Sequence, residues 1–241
     1  MPDFRLFNFQ STTINFHDLT HLYKNEFTNN LDNKNLVHKN STQGLIDLEL
    51  KFSTILNSYF KNLKYFIDKL SVEQAKKCCL VLHTEHVSDA GTDLDAVIEL
   101  LVNDEKYNII FTDSKFDPVG MNLLYNSTDA QILLTSNEGW GLSITEAILA
   151  GRPIIANVTG GMQDQMRFED EDGNWFTPTP EVPSNHTGRY KKHGKWAFPV
   201  YPTSRTLVGS PPTPYIWDDT CKPEDAAEQI KAIYNLTPEE R

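Results

Sequence analysis

The chain has 241 residues and a formal net charge of −11, from 33 acidic and 22 basic side chains. This acidic balance disfavours a general nucleic-acid binder or a protein that adheres to anionic membranes. No apolar run approaches the roughly 20 residues that span a bilayer, and the first residues lack the pattern of a signal peptide. The three cysteines form no C-x-x-C motif, which disfavours a disulfide framework and a cysteine zinc site. We therefore expect a cytoplasmic protein with reduced thiols.

Three kinds of sequence pattern follow one another between residues 5 and 70. Residues 5–9 (RLFNF) predict a short opening strand, and residues 10–43 predict an irregular insertion, because they are polar and show little periodicity. Between residues 45 and 70, apolar side chains recur at spacings of three and four, which predicts a long amphipathic helix packed on a sheet. The members of this stripe are Leu45, Leu48, Phe52, Ile55, Tyr59, Leu63, Phe66 and Leu70.

From residue 78 onward, short apolar runs alternate with helical patterns. Asp117-Pro118 is a typical helix start, with a capping side chain followed by proline at the first helical position, and Thr92 or Asp93 is a second candidate cap. The predicted strands are residues 78–82, 108–111, 131–134 and 153–156, with helices at 94–102, 118–125 and 142–150. Strictly alternating strands and helices predict an α/β fold with a parallel sheet flanked by helices.

The last part of the sequence is rich in proline and in aromatic residues. Eight of the 13 prolines lie between residues 178 and 214, among tryptophans and tyrosines that a disordered linker would lack. We therefore predict an extended but packed tail that is closed by a helix from residue 223 or 224 to about residue 234. The expected organisation is a domain at residues 1–176, including the insertion, and a tail at residues 177–241 that packs on it.

The segment after the strand at 131–134 contains the candidate chemistry. Ligands of an open parallel sheet bind beyond the carboxyl ends of its strands. Gly139 and Gly141 allow the backbone to approach a ligand, and the helix that begins near Gly141 offers free N–H groups to phosphate or sugar oxygens. Glu138 precedes this helix, and Glu146 lies about one turn inside it. We expect Glu146 to be partly buried and to need hydroxyl partners, such as those of a ribose or hexose.

An ordinary strand–helix turn, with Glu138 facing water, is the alternative interpretation of this segment. The two glutamates, eight positions apart around the glycines, favour a binding site instead.

Residues 126–164 (NSTDAQILLTSNEGWGLSITEAILAGRPIIANVTGGMQD) resemble a known family. They are similar to the nucleotide-sugar half of the group 1 (family 4) retaining glycosyltransferases of the GT-B fold. Those enzymes carry a run of the form ADV-apolar-SxxEGFGLxxxEAMAxGxPVIA…GG, and the spacing of the E-x7-E motif agrees. The matching positions are Asp129, Ala130, Ser136, Glu138 to Leu142, Glu146, Ala147, Gly151, Pro153, Gly160 and Gly161. The resemblance implies a Rossmann-like sheet that forms one half of a GT-B enzyme.

The resemblance also implies roles for individual residues. Glu138 would be the catalytic-site residue that hydrogen-bonds the hydroxyls of the donor sugar, and Glu146 would hold the ribose. Ser114 and Lys115, in the loop at residues 112–116, would border the base. Backbone amides would meet the sugar and the phosphates at Gly139, Trp140, Gly141, Leu142 and Ser143. Gly160 and Gly161 would open a second turn near the sugar.

The reaction implied by the resemblance is glycosyl transfer with retention, in which the leaving diphosphate helps to activate the acceptor hydroxyl and no metal or other cofactor is required. Positioning and electrostatic stabilisation would supply the catalysis. The family places an Arg and a Lys after the first strand, whereas residues 8–16 (NFQSTTINF) contain no cation. The candidates to replace this pair are His17, His21, Lys24 and Lys115.

The expected partners are a nucleotide sugar and a separate acceptor-binding domain or subunit, because the first predicted strand begins within ten residues of Met1 and leaves no room for the acceptor half that precedes the donor half in the family. Nucleic acid is not an expected partner. Two alternatives stay open. The chain could be a catalytically inactive nucleotide-binding, sugar-binding or assembly module, or another GT-B enzyme such as a sugar-nucleotide epimerase.

Three further segments are less specific. The run from His83 to His86 is best interpreted as a polar loop near the cleft; the alternative is a metal site, for which Glu85 or Asp89 is available as the third ligand. The acidic run at residues 169–172 lacks the spacing of a calcium loop. The basic cluster at residues 189–196 is interpreted as a surface loop, with contact to a phosphate or an anionic acceptor as the alternative.

Overall fold

A computed structural model describes residues 60–87, 93–112, 114–209, 215–237 and 240. The predicted opening strand at residues 5–9, the insertion at 10–43 and the first part of the apolar stripe lie outside these residues. The chain is helical at residues 60–67 (α1). Two members of the apolar stripe, Leu63 and Phe66, are buried there as predicted, and Phe60 and Ile67, which the predicted stripe does not include, are buried beside them.

Helix α1 ends earlier than the stripe predicts, because a new helix begins at once. Ser71 caps α2 (Val72–Ala75), and the Gln74 side chain reaches back to the Ser71 N–H, so that both ends of a capping box are made. Leu70 therefore lies in the connection between the two helices.

The predicted alternation of strands and helices is confirmed. The elements are β1 (Cys79–Leu82), α3 (Leu94–Leu101), β2 (Asn108–Phe111), α4 (Pro118–Asn126), β3 (Gln131–Leu133), α5 (Leu142–Leu149), β4 (Ile154–Asn157) and α6 (Met162–Gln165). Strand β1 pairs with β2 and β3 pairs with β4, both in parallel. The predicted caps are present, since the Asp93 carboxylate accepts from the Ala96 N–H and the Asp117 carboxylate from the Gly120 N–H. The fold is thus the expected α/β class with parallel strands flanked by helices.

The C-terminal segment contributes more strands than its sequence indicates. Strand β5 (Ala197–Val200) pairs in parallel with β4, and β6 (Ser204–Val208) and β7 (Ile216–Thr220) form an antiparallel hairpin. Pro199 lies inside β5, a position that is tolerated because β5 pairs with one neighbour only within the described chain. The predicted closing helix is confirmed as α7 (Pro223–Tyr234).

Within the described residues the parallel strands form two groups, β1–β2 and β3–β4–β5. A cavity of about 90 Å³ lies between β1 and β3, and α1 and α7 contribute to its lining. One apolar cluster nevertheless spans both groups, because Leu80 and Ile109 pack with Ile132 and Ile155 under the same two helices. The two groups of strands therefore share one apolar cluster.

A second apolar cluster lies beside α5. Ile144 on α5, Ile154 on β4 and Met162 on α6 are all fully buried in it. This packing holds the loops that follow β3 and β4 next to each other. No helix among the described residues combines the length and apolar character that crossing a membrane requires.

Candidate functional site

The loop after β3 runs into α5 through a glycine with a left-handed backbone. Gly141 is the N-cap residue of α5 with φ 83°, and no side chain caps the helix there. A Cβ at Gly141 would lie 3.2 to 3.3 Å from side-chain atoms of Leu133, Ile144 and Met162. Because no side chain of the described residues caps the first turn of α5, its N–H groups and the positive end of its dipole are available to an anion.

The loop after β4 packs directly against the loop after β3. The Gly161 N–H donates to the Glu138 carbonyl oxygen at 3.2 Å. A Cβ on Gly160 would lie 2.0 Å from the Glu138 carbonyl oxygen, and one on Gly161 would lie 2.2 Å from the Gly139 carbonyl oxygen. The structure thus brings together the two glycine-containing segments that the sequence places more than 20 residues apart.

The Glu138 side chain is half-buried at this junction. It forms no side-chain hydrogen bond or ion pair within the described part of the chain. A half-buried carboxylate without a protein partner is a strong hydrogen-bond acceptor for hydroxyl groups of a ligand.

Three polar side chains fix the glycine loop on α5. The Trp140 indole donates to Thr145 Oγ1 at 2.9 Å, and Thr145 Oγ1 donates to Gln165 Oε1 at 2.7 Å. The Gln165 amide in turn donates to the carbonyl oxygens of Trp140 and Gly141. Gln165 has no motif that would reveal this role from the sequence, because it lies on α6, 24 residues after Gly141.

Glu146 lies on the outer side of α5, and the expectation that it is partly buried is wrong. Ile144 and Ala147 occupy the buried side of the helix, so Glu146 is exposed. Its Oε2 accepts a hydrogen bond of 2.8 Å from the hydroxyl of Tyr125, at the C-terminal end of α4. Burial, together with this hydrogen bond, raises the pKa of the Tyr125 hydroxyl, which therefore stays a donor. The contact fixes the direction of the Glu146 carboxylate.

Ser114 and Lys115 lie in the loop after β2 and are exposed. Neither forms a side-chain hydrogen bond or ion pair among the described residues, and no contact joins them to the two glycine loops. The side of this loop is formed by His83, which follows β1. Its Nδ1 lies 2.7 Å from Thr112 Oγ1, and its ring stacks on Phe116 with centroids 4.9 Å apart.

His83 and His86 do not converge on a common point. While His83 contacts the loop after β2, His86 stacks on Phe111 and places its Nδ1 3.0 Å from Asp95. The two histidines therefore contact different neighbours and do not form one site. The His83 ring provides an aromatic surface beside Ser114 and Lys115.

The sequence profile of the family "Glycosyl transferases group 1" matches residues 50–184, which is more than half of the chain. The matched range includes both glycine loops, Glu138, Glu146 and the loop after β2. No curated protein matches the sequence. The resemblance that residues 126–164 carry is thereby confirmed at the level of the family.

Proposed function

Because the chain belongs to the group 1 glycosyltransferase family, we propose that it binds a nucleoside-diphosphate sugar at the two glycine loops and donates the sugar with retention. The observation that carries the proposal is the contact of Gly160 and Gly161 with the backbone of Glu138 and Gly139. It places the second glycine loop beside the backbone of Glu138, whose carboxylate has no side-chain partner among the described residues, close to the first turn of α5. Such a site suits a ligand that has both hydroxyl groups and a diphosphate.

Each end of the proposed ligand has its own contacts. Glu138 accepts hydrogen bonds from the sugar hydroxyls, and the first N–H groups of α5, from Leu142 and Ser143, meet the diphosphate. Glu146, oriented by Tyr125, accepts from the ribose hydroxyls. The base lies by Ser114 and Lys115, against the stacked rings of His83 and Phe116.

In the proposed reaction, the bond between the sugar C1 and the diphosphate oxygen breaks while a bond to the acceptor oxygen forms on the same face of the sugar. The acceptor proton passes to the leaving diphosphate. The protein contributes position and a preorganised set of N–H groups where negative charge develops. We propose that no metal or other cofactor takes part. The need for a separate acceptor-binding domain or subunit stays a prediction.

Stabilisation of the diphosphate is the most demanding part of this proposal, because the chain carries a net charge of −11. Lys115 is a cation on the loop after β2, and His17, His21 and Lys24 lie outside the described residues. The cation-free sequence at residues 8–16 favours a second candidate function, a module that binds the same ligand without catalysis.

Isothermal calorimetry with UDP-, GDP- and ADP-sugars tests the binding. We expect one of these nucleotide sugars to bind. Glu138→Gln should lower the affinity for it by about tenfold, roughly the effect of one lost hydrogen bond to a charged group. The free nucleoside diphosphate should keep its affinity in this variant. Glu181→Gln, an exposed acid outside both loops, is the matched control. Absence of binding to all three classes of donor would overturn the proposal.

Turnover separates the enzyme from the inactive module. Release of the nucleoside diphosphate from the bound donor, with water or an added glycoside as acceptor, should be measurable in the wild type and lost in Glu138→Gln. Tight binding without any release identifies the module. A new sugar nucleotide formed without an acceptor identifies an epimerase.

A further inference from the structure

The β6–β7 hairpin lies against the loop that carries Glu138. The Asp219 N–H donates to the Ser136 carbonyl oxygen at 2.7 Å, and the Asn137 side-chain amide donates to the Trp217 carbonyl oxygen at 2.8 Å. Ser136 and Asn137 immediately precede Glu138. The hairpin is therefore in direct contact with the backbone that positions this carboxylate.

Asp219 also reaches the second glycine loop. Its side chain is fully buried, and its Oδ2 accepts a hydrogen bond of 2.7 Å from Thr159 Oγ1, next to Gly160. The Asp219 carbonyl oxygen accepts from the Asn157 side-chain amide, which also donates to the Thr135 carbonyl oxygen. One buried residue of the hairpin thus holds both loops of the proposed site.

A buried carboxylate is costly unless a cation and hydrogen bonds compensate for the lost hydration. Arg205, opposite Asp219 in the hairpin, places its Nε 3.0 Å from Asp219 Oδ1. The guanidinium lies over the Trp217 ring at 5.0 Å, and its Nη1 is 3.0 Å from His186 Nδ1. Burial and the Arg205 charge lower the pKa of His186, which keeps this ring neutral and able to accept. Arg205 is accordingly held in one orientation by three neighbours.

These contacts are polar, and they differ from the packing of the rest of the fold. Among the described residues, the apolar clusters contain no member of β6 or β7. The hairpin is therefore joined to β4 and to the loops after β3 and β4 by hydrogen bonds with Ser136, Asn137, Asn157 and Thr159. The Glu146–Tyr125 contact, by contrast, lies at α4 and α5 and involves no residue of the hairpin.

We propose that Asp219 and Arg205 are positioning residues that set the distance between the loops after β3 and β4, and thereby the fit of Glu138 and Gly160 to the donor sugar. This inference rests on the proposed function of the two loops. It assigns the hairpin to the sugar end of the ligand, so the affinity for the sugar moiety depends on Arg205 while the affinity for the nucleotide does not.

The ratio of two dissociation constants tests this assignment in the full chain. Calorimetry gives the constants for the nucleotide sugar that binds the wild type and for the corresponding free nucleoside diphosphate. We expect Arg205→Met to lower the affinity for the nucleotide sugar by about tenfold and the affinity for the nucleoside diphosphate by less than about twofold. The reason is that the variant loses the charge-assisted contacts of Arg205. Arg205→Lys should recover part of the ratio. Thr206→Ala, an exposed neighbour on β6, is the matched control and should leave both constants unchanged.

If the hairpin only stabilises the fold, both dissociation constants change by the same factor or neither of them changes. Either outcome overturns the inference while leaving the proposed function intact. A wild type that binds no nucleotide sugar overturns both together. If Arg205→Met does not fold, Thr159→Val decides by the same ratio, because it conserves the shape of the side chain and removes the hydroxyl that donates to Asp219 at 2.7 Å and to the Ser136 carbonyl oxygen at 3.4 Å.

Discussion

At the scale of single residues, Gly160 is the glycine of the two loops at which an added side chain meets the closest backbone contact. Its φ is +47°, and a Cβ would lie 2.0 Å from the Glu138 carbonyl oxygen. We expect Gly160→Ala to lower the free energy of unfolding by more than about 2 kcal/mol, because backbone strain adds to the displacement of the opposite loop. Binding of the nucleotide sugar should fall by at least about tenfold. Chemical denaturation and calorimetry measure the two effects.

Gly173 provides the matched control for this substitution. It also has a positive φ, +81°, but a Cβ there would meet no atom within 4 Å. Gly173→Ala should therefore cost only about 1 kcal/mol, the strain of the left-handed backbone, with unchanged binding. Equal effects of the two substitutions on binding would contradict the close approach of the two loops as the origin of the site.

Tyr125 orients the exposed Glu146 carboxylate. Tyr125→Phe removes the hydrogen bond of 2.8 Å, and we expect about 1 kcal/mol less stability. Affinity for the free nucleoside diphosphate should fall by about threefold to tenfold, because Glu146 is no longer held toward the ribose. Tyr201→Phe is the control, since its hydroxyl is also removed from water but contacts Tyr190 outside the site. Unchanged nucleotide binding in both Tyr125→Phe and Glu146→Gln would exclude the ribose role.

At the scale of elements, Asp68 ties the end of α1 to the segment before β2. Its carboxylate accepts from Lys106 and from the Tyr107 hydroxyl, both at 2.6 Å, and pairs with Lys64 at 3.1 Å. Burial alone would raise the pKa of Asp68, but these donors outweigh it and lower the pKa from 3.8 to about 2. The folded state therefore binds the proton less tightly than the unfolded state does.

The sign of the pH dependence follows from this lowered pKa. The contribution of Asp68 to stability is present above about pH 4 and is lost as the pH falls toward 2. Asp68→Asn should lower the free energy of unfolding by about 1 kcal/mol near neutral pH, a value limited by the partial exposure of the carboxylate. The difference from the wild type should shrink below pH 4 in urea titrations. Glu99→Gln, on the exposed side of α3, should show no such trend.

Helix starts could be predicted from the sequence, whereas the C-terminal strands could not. Helix starts at Asp93 and Asp117 were predictable because a cap is a local interaction between a side chain and N–H groups three residues away. Strands β5 to β7 were not, because Pro199 pairs at the edge of the sheet and the polar residues of the hairpin bind the loops after β3 and β4, which lie far away in the sequence.

At the scale of the whole molecule, the two groups of parallel strands should unfold together, because one apolar cluster joins them. Cys78 and Cys79 lie at β1, Cys221 follows β7, and all three thiols are buried. Burial raises the pKa of Cys79 to about 12 and that of Cys221 to about 11, so few thiolates exist at pH 8. We expect slow labelling by a thiol reagent in the native protein.

Labelling along a denaturant gradient measures this cooperativity. All three thiols should become reactive in one transition, resolved by mass spectrometry of the labelled peptides. An added thiol at the exposed Thr206 should react at once and report the reagent's activity. Labelling of Cys221 at a lower denaturant concentration than Cys78 would show that the apolar cluster shared by the two groups, to which both cysteines belong, does not unfold as one unit.

The sequence by itself determined the α/β class, the helix caps and the family, because apolar periodicity, capping and the glycine–glutamate motif are local patterns. It also made Glu138, Glu146, Gly160 and Gly161 candidate site residues, and their roles stay predictions. Only the tertiary structure decided that the two glycine loops touch and that Glu146 is exposed beside Tyr125. Only the tertiary structure likewise shows that the buried Asp219 contacts both loops. These features depend on which distant backbones meet in the core, and no spacing along the chain encodes such a distance.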